Sequence, residues 1–261
     1  MGSQARLADG KEHVSRAVAG GESWSSADVD LIWDWLALRQ SFLRPSRRVP
    51  ELHWLEDPLA RRPLTAALRR GCDLAVAALL LLALSPVILV CMAVVKLTSP
   101  GPALFRQGRI GHQCRTFAML KLRTMVDGAH RMEDRLAGAC SGTFLKLVAD
   151  PRTTRVGRFL RRYSLDELPQ LVNVLRGEMS LVGPRPLLPS DFRKFPKQEQ
   201  MRRFSVRPGI TGLWQVSGRS ATTDEQRIQY DLDYVEHWTP WLDLKILART
   251  IPVALGAKGA Y

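Results

Sequence analysis

The chain has 261 residues, 46% of them hydrophobic, and a formal net charge of +13. That length suits one domain with extensions or two small domains, and the apolar share excludes wholesale disorder. The excess of Lys and Arg lies almost entirely after Lys96, so an anionic partner is expected: nucleic acid, a phosphorylated small molecule or an anionic membrane surface.

The cysteines at 72, 91, 114 and 140 are widely spaced, without a C-x-x-C pair or a His at ligand spacing. A zinc site or disulfide framework is therefore not expected, and reduced thiols are. The histidines are scattered, which argues against a His-based catalytic centre.

Residues 1–60 read as an N-terminal extension with one amphipathic helix. Val29, Ile32, Trp33, Leu36 and Leu43 recur at helical spacing, and Ser25 with Asp28 gives a start signal. A Pro- and Arg-rich linker follows. Partner docking or a surface role suits this extension better than catalysis.

Residues 61–96 carry the one membrane-grade segment, "CDLAVAALLLLALSPVILVCMAVV". A straight helix of that length would be ~36 Å long, enough to cross a hydrocarbon core of ~30 Å. Ser85-Pro86 interrupts it: Pro86 has no N–H, and its ring clashes with the carbonyl of Leu82. The Ser85 hydroxyl can bond back to a carbonyl one turn earlier. Basic residues flank both sides, Arg61, Arg62, Arg69 and Arg70 before and Lys96, Arg106, Arg109 and Arg115 after. A single span would send one basic flank outside, whereas a broken, re-entrant helix keeps both inside. Re-entry is therefore expected over spanning. An ordinary core helix is disfavoured by the length of the apolar run.

Residues 97–261 are expected to form a cytosolic catalytic domain. "TFAMLKLRTM" reads as a strand bearing Lys121 and Arg123, and "DGAHRMEDRLAG" as a short polar helix. "DPRTTRVGRFLRR" reads as a turn and a basic helix, and residues 164–176 as a helix. Prolines at 184, 186 and 189 make "SLVGPRPLLP" extended. "VRPGITGLWQVSGR" is a Gly-punctuated loop region. Thr222-x-x-Glu225 is a capping box opening the next helix. In the last helix, Trp241, Leu244, Ala248, Ile251 and Leu255 share one face, which fits either an interfacial helix or one covering the core. The fold class expected is α+β and helix-rich, with a re-entrant broken helix, amphipathic interfacial helices and a few short strands.

The most informative stretch is "FLRRYSLDELPQLVNVLRG" at residues 159–177. Ser164-Leu165-Asp166-Glu167 fits a capping box, which accounts for both acids without any chemistry. The surrounding Arg152, Arg155, Arg158, Arg161 and Arg162 suggest more. An Asp held ionised among arginines suits nucleophilic attack or metal binding. Gly183-Pro184-Arg185-Pro186 and Arg207-Pro208-Gly209 each offer a guanidinium on stiff backbone, and the guanidinium fork matches phosphate oxygens in pairs.

Taken in order, the Ser85-Pro86 break, "SPGPALFRQGRIG", "LKLRTM", "DPRTTRVGRFLRRYSLDELPQLVNVLRGEMSLVGPRPLLP", "VRPGITGLWQVSGR" and "YVEHWTPWLDLKIL" resemble the monotopic phosphoglycosyl transferases among the bacterial sugar transferases. The resemblance runs through residues 67–255. It implies transfer of a sugar-1-phosphate, glucose or galactose by the character of the C-terminal motifs, from a UDP-sugar to polyprenyl (undecaprenyl) phosphate with release of UMP. It further implies Asp166 as nucleophile and Glu167 as a ligand, with Asp166, of Mg²⁺. Arg161, Arg185 and Arg207 would grip phosphates, helped by Lys121 and Arg123. The partners implied are a UDP-sugar, polyprenyl phosphate and anionic membrane lipid, with a homodimer left open and no nucleic acid. The expected location is the cytosolic face of the bacterial inner membrane, in exopolysaccharide, capsule or O-antigen assembly. A membrane-tethered basic adaptor without catalysis is the competing reading, and a different Mg²⁺-dependent phosphotransferase a third.

Overall fold

The structure, a computed structural model, describes residues 57–58, 62–129, 150–192, 198–218 and 222–256. The chain divides into Met1–Glu56 and Asp57–Tyr261, and all described residues belong to the second unit. The expected N-terminal helix and the polar helix expected from "DGAHRMEDRLAG", which runs into residues 130–149, lie outside the described residues.

Helix α1, Pro63–Thr98, is hydrogen-bonded as one element of 36 residues. Pro63 sits at the first helical turn, where its missing N–H costs nothing. Pro86 lies inside and deprives the Leu82 carbonyl of its helical partner. The Ser85 hydroxyl donates to that same carbonyl at 2.8 Å and repairs the loss. The interruption expected at Ser85-Pro86 thus leaves the helix one assigned element, carrying its proline internally.

α1 is long and apolar enough to cross a membrane, and only 11% of its most apolar stretch is buried. That low burial excludes an ordinary core helix. Both ends of α1 are nevertheless fastened to the same body. Near its start, Asp73 accepts from Ser180 Oγ (2.7 Å) and from the Leu181 N–H (3.2 Å). Arg69 donates to the Val182 carbonyl (2.9 Å) and Tyr234 Oη (2.6 Å) and pairs with Asp243 (3.1 Å). Near its end, buried Val95 packs with Leu122 and Leu160. Leu79, Leu82, Leu89, Val90 and Leu97 are left exposed between and beyond these anchors.

A hairpin follows. β1 (Leu104–Ile110) pairs antiparallel with β2 (Thr116–Leu122), with Leu104 opposite Leu122 and Ile110 opposite Thr116. Helix α2 (Arg155–Arg162) is capped by Thr154, whose hydroxyl accepts from the Gly157 N–H at 2.9 Å. A 3₁₀ turn at Leu165–Glu167 leads to helix α3 (Gln170–Leu175). β3 (Ser180–Val182) pairs parallel with β4 (Gly209–Thr211). Helices α4 (Leu213–Ser217), α5 (Asp224–Glu236) and α6 (Pro240–Leu255) complete the unit.

The main core gathers Met119, Leu171, Val174, Met179, Val182, Tyr234 and Ile246 around Ala77 of α1. Within it, fully buried Asn173 donates to the Ala118 carbonyl (2.8 Å) and accepts from the Leu120 N–H (2.9 Å). This side chain welds α3 to β2, and so sets the turn before α3 against the strand that carries Lys121.

Three local expectations are corrected. Residues 164–176 are not one capped helix: Ser164 is left-handed (φ 56°), makes no side-chain cap, and α3 starts only after Pro169. The capping box of α5 is formed by Thr223 and Gln226 rather than by Thr222 and Glu225. Pro189 opens a helical turn, Pro189–Phe192, where extended chain was expected. Proline at a first helical position loses no hydrogen bond, so it starts that turn as readily as it would end one.

Candidate active site

The site is built on three neighbouring pieces: the end of β2, the turn Leu165–Glu167, and the irregular segment after β3. The left-handed Ser164 reverses the chain out of α2 and presents Asp166 and Glu167 side by side. Lys121, near the end of β2, reaches Glu167 Oε1 at 3.2 Å. Arg185, two residues past Gly183, donates Nη2 to the same oxygen at 2.6 Å. Glu167 therefore holds two cations. The Asp166 carboxylate, 6% exposed as a residue, accepts no hydrogen bond among the described residues.

The two acids are driven in opposite directions. Burial pushes the Asp166 carboxyl above the usual carboxylate range. Lys121 pulls it back down, Glu167 adds to the rise, and Arg161 and Arg185 pull down further. Glu167 is held well below that range: burial opposes the fall, but Arg185 and Lys121 outweigh it through charge and hydrogen bonds. Lys121 is itself lowered by burial, against the pull of Glu167. The cations expected to stabilise the Asp166 anion, Lys121, Arg161 and Arg185, do act on it, and burial works against them.

Arg161 points inward from α2, with Nε donating to Thr124 Oγ1 at 2.9 Å and Nη1 to Thr153 Oγ1 at 3.3 Å. Its charge acts on Asp166. Lys121, Arg161 and Arg185 therefore gather with Asp166 and Glu167, as expected. Two other expected residues are engaged elsewhere. Arg123 is buried and donates Nη2 to the carbonyl and hydroxyl oxygens of Ser99, each at 2.8 Å, securing the turn after α1. Arg207 donates Nε to the Gly177 carbonyl at 3.1 Å, and its charge bears on Arg70 and His112.

The sequence marks Arg109 only as a basic flank of α1, and the structure brings it to the site. Its guanidinium bonds Gln107 Oε1 (2.7 and 3.2 Å) and the Pro186 carbonyl (3.2 Å). Burial and the neighbouring Arg185 lower it to about 10, while Asp191 and Glu167 act the other way. In the hairpin register Phe105 lies opposite Lys121 and Arg109 opposite Phe117. Period-two alternation then puts Arg109 and Lys121 on one face, a signal available once the two strands are paired. Arg203, buried, bonds Asp231 and also donates to the Arg185 carbonyl at 2.9 Å, which ties down the segment bearing that guanidinium.

Among the described residues no group of three or more His, Cys, Asp or Glu could hold a metal on its own. Asp166 and Glu167 do fit a cation completed by substrate. Both Asp166 oxygens and Glu167 Oε2 are without hydrogen bonds among the described residues. Mg²⁺ in phosphate chemistry is commonly bound by one or two carboxylates, with phosphates and water completing the octahedron. Adjacent acids among cations, one electrostatically pinned and one without a hydrogen bond among the described residues, have the chemistry that phosphoryl handling requires.

Residues 64–257 match the family described as bacterial sugar transferase, and the chain belongs to that family. It is 40% identical over 208 residues to the exopolysaccharide production protein ExoY of Sinorhizobium fredii, an alignment covering 77% of this chain and 92% of that one. It is 46% identical over 202 residues to the UDP-glucose:undecaprenyl-phosphate glucose-1-phosphate transferase of Caulobacter vibrioides, covering 74% and 72% respectively. Over 213 residues it is 38% identical to the undecaprenyl-phosphate galactose phosphotransferase of Salmonella typhimurium, covering 79% of this chain and 44% of that relative.

Proposed function

We propose that the protein transfers glucose-1-phosphate or galactose-1-phosphate from a UDP-sugar to polyprenyl phosphate, with Asp166 as the nucleophile. The observation that carries this reading is the division of labour between the two acids. Glu167 occupies Lys121 and Arg185, while the Asp166 carboxylate beside it is unbonded and faces the charge of Arg161.

An Asp166 oxygen attacks the phosphorus that bears the sugar. The bond from that phosphorus to the bridging oxygen breaks, and UMP departs with the electron pair. A phosphate oxygen of the acceptor then attacks the same phosphorus. The aspartyl–phosphorus bond breaks, returning the carboxylate and yielding the lipid diphosphosugar. Arg161, Arg185 and Lys121 are placed to offset charge on the phosphoryl oxygens, and Arg203 holds the backbone of Arg185. Asp166 and Glu167 are the residues that would hold Mg²⁺, whose charge would neutralise the diphosphate and ease the departure of UMP.

The acceptor's phosphate lies at the lipid surface, so the site must lie there too. A helix whose two ends are anchored to one body keeps both basic flanks on one side, which supports a membrane segment that does not span. α6 supports the same placement, with Trp241, Leu244 and Ile251 exposed on one face and Lys245 over the Trp241 ring. The cytosolic face of the inner membrane belongs to this reading, and a role in exopolysaccharide assembly is supported by the name of the Sinorhizobium fredii relative. The names of the relatives leave the adaptor reading without support.

The test is UMP release by full-length protein in lipid discs, assayed across a panel of UDP-sugars with polyprenyl phosphate. Sustained release with UDP-glucose or UDP-galactose is expected. Release from neither would reject the assignment.

A further inference from the structure

Pro184-Arg185-Pro186 carries a single backbone N–H, because a proline has none. Such a stretch has little with which to hold itself in place, yet its carbonyls still need partners. Its flanks are fixed by backbone pairing. The Gly183 N–H donates to the Thr211 carbonyl and the Gly209 N–H to the Pro184 carbonyl, each at 2.9 Å. At the other end Leu187 exchanges bonds with Ile110 of β1, at 2.9 and 3.3 Å. Between these, the carbonyls of Arg185 and Pro186 accept from side chains. Arg203, in the 3₁₀ turn Arg202–Ser205, donates to the first at 2.9 Å, and Arg109 of β1 donates to the second at 3.2 Å. Both guanidiniums are fixed from behind. Asp231 of α5 pairs with Arg203, Gln107 accepts two bonds from Arg109, and the charge of buried Asp191 bears on both.

We propose that Arg109 and Arg203 form a backbone clamp that aims Arg185, and that their effect on turnover passes through that one guanidinium. The inference rests on the transferase reading above. Arg185 reaches from the clamped stretch to Glu167 Oε1 at 2.6 Å, beside the unbonded Asp166 carboxylate. Without the two guanidiniums, adjacent carbonyls would turn to water and the stretch would be free to shift. A displacement of about 1 Å in an oriented group costs about 100-fold in rate, so holding this backbone matters to the chemistry. Neither clamp residue is placed to touch substrate. All three guanidinium nitrogens of Arg109 donate to protein atoms, and Arg203 is 3% exposed. They are therefore positioning residues, supplied from β1 and from the turn that α5 secures.

The experiment is a double-mutant cycle on UMP release by full-length protein in lipid discs, joined to hydrogen–deuterium exchange of residues 183–188. Arg109→Gln should lower kcat/KM about tenfold or more in otherwise wild-type protein, and less than about twofold where Arg185 is already Gln. Arg109→Lys keeps the charge without the fork and should recover little of the loss. Exchange of residues 183–188 should quicken several-fold in both Arg109 variants. Arg203→Gln alone strands buried Asp231, so the paired change Arg203→Met with Asp231→Leu is used, and it should repeat the Arg109→Gln pattern. Equal losses with and without Arg185 overturn the proposal, because the residues then act independently of that guanidinium. Full recovery by Arg109→Lys overturns it too, since charge alone would suffice, as does unchanged exchange in the variants. Absence of UMP release from wild type counts against the transferase reading, and quickened exchange in the variants then still supports the clamp.

Discussion

Asp166 and Glu167 are chain neighbours whose carboxylates have opposite surroundings: Glu167 accepts from Lys121 and Arg185, and Asp166 accepts from no side chain among the described residues. The arrangement separates two tasks that one acid could not perform. A carboxylate committed to two cations is a fixed electrostatic post. An uncommitted one beside it keeps its lone pairs for phosphorus.

The first consequence concerns stability. The Glu167 carboxyl is depressed in the folded protein, so its contribution is present above its unfolded value of about 4.3 and is lost as pH falls below it. Glu167→Gln should remove that contribution and leave Lys121 and Arg185 without their anion. A loss of about 2 kcal/mol is expected in denaturant unfolding at neutral pH.

Asp166 has the reverse sign. A carboxyl raised on folding contributes stability below its unfolded value and loses it as pH rises through the folded one. Asp166→Asn should therefore raise the melting temperature at neutral pH while cutting turnover by roughly 10³-fold or more. Thermal melts and UMP release on the same preparation check both halves.

The same shift shapes the pH dependence of the reaction. Turnover should fall as pH drops through the raised Asp166 value, because the protonated acid is no nucleophile. Lys121 is the largest influence pulling that value down, so Lys121→Gln should move the acid limb of kcat/KM to higher pH. A limb that stays in place in the variant would contradict this coupling.

Gly157 is one of the points where α2 touches the rest of the domain. A Cβ there would lie 2.0 Å from the Thr124 carbonyl oxygen, which is backbone and cannot swing aside. Gly157→Ala should cost about 1–3 kcal/mol by overpacking. It should also reduce activity beyond the stability loss, because Thr124 bonds Arg161. Arg161→Lys, which keeps the charge but loses the fork, supplies the comparison for the second effect.

Much of this was legible in the chain because it is local. The basic helix α2, the strand carrying Lys121, the last helix from Pro240 and the repair at Ser85-Pro86 follow from periodicity and proline chemistry. Two kinds of feature were not. One is backbone handedness: Ser164-x-x-Glu167 has the letters of a capping box, but Ser164 is left-handed and Glu167 is drawn to cations 46 and 18 positions away in the chain. The other is which arginines converge. Arg109 follows Gly108, Arg207 precedes Pro208 and Arg123 sits inside "LKLRTM", and nothing in those local letters ranks them. Only the hairpin register and the turn after α1 separate the one that reaches the site from the two that hold backbone. Asp73 is a further case, a charge in an apolar run that is spent on Ser180 and the Leu181 N–H.

The central claim, covalent attachment through Asp166, is tested most directly by incubating purified protein with UDP-sugar labelled with ³²P at the sugar-bearing phosphorus and omitting the lipid acceptor. One equivalent of UMP or less should be released, with label retained on the protein and located by mass spectrometry on Asp166. Asp166→Asn should retain none, and polyprenyl phosphate should discharge the label from wild type into lipid. An Asp166→Asn protein that still turns over at the wild-type rate, or label fixed on another residue, would contradict the account.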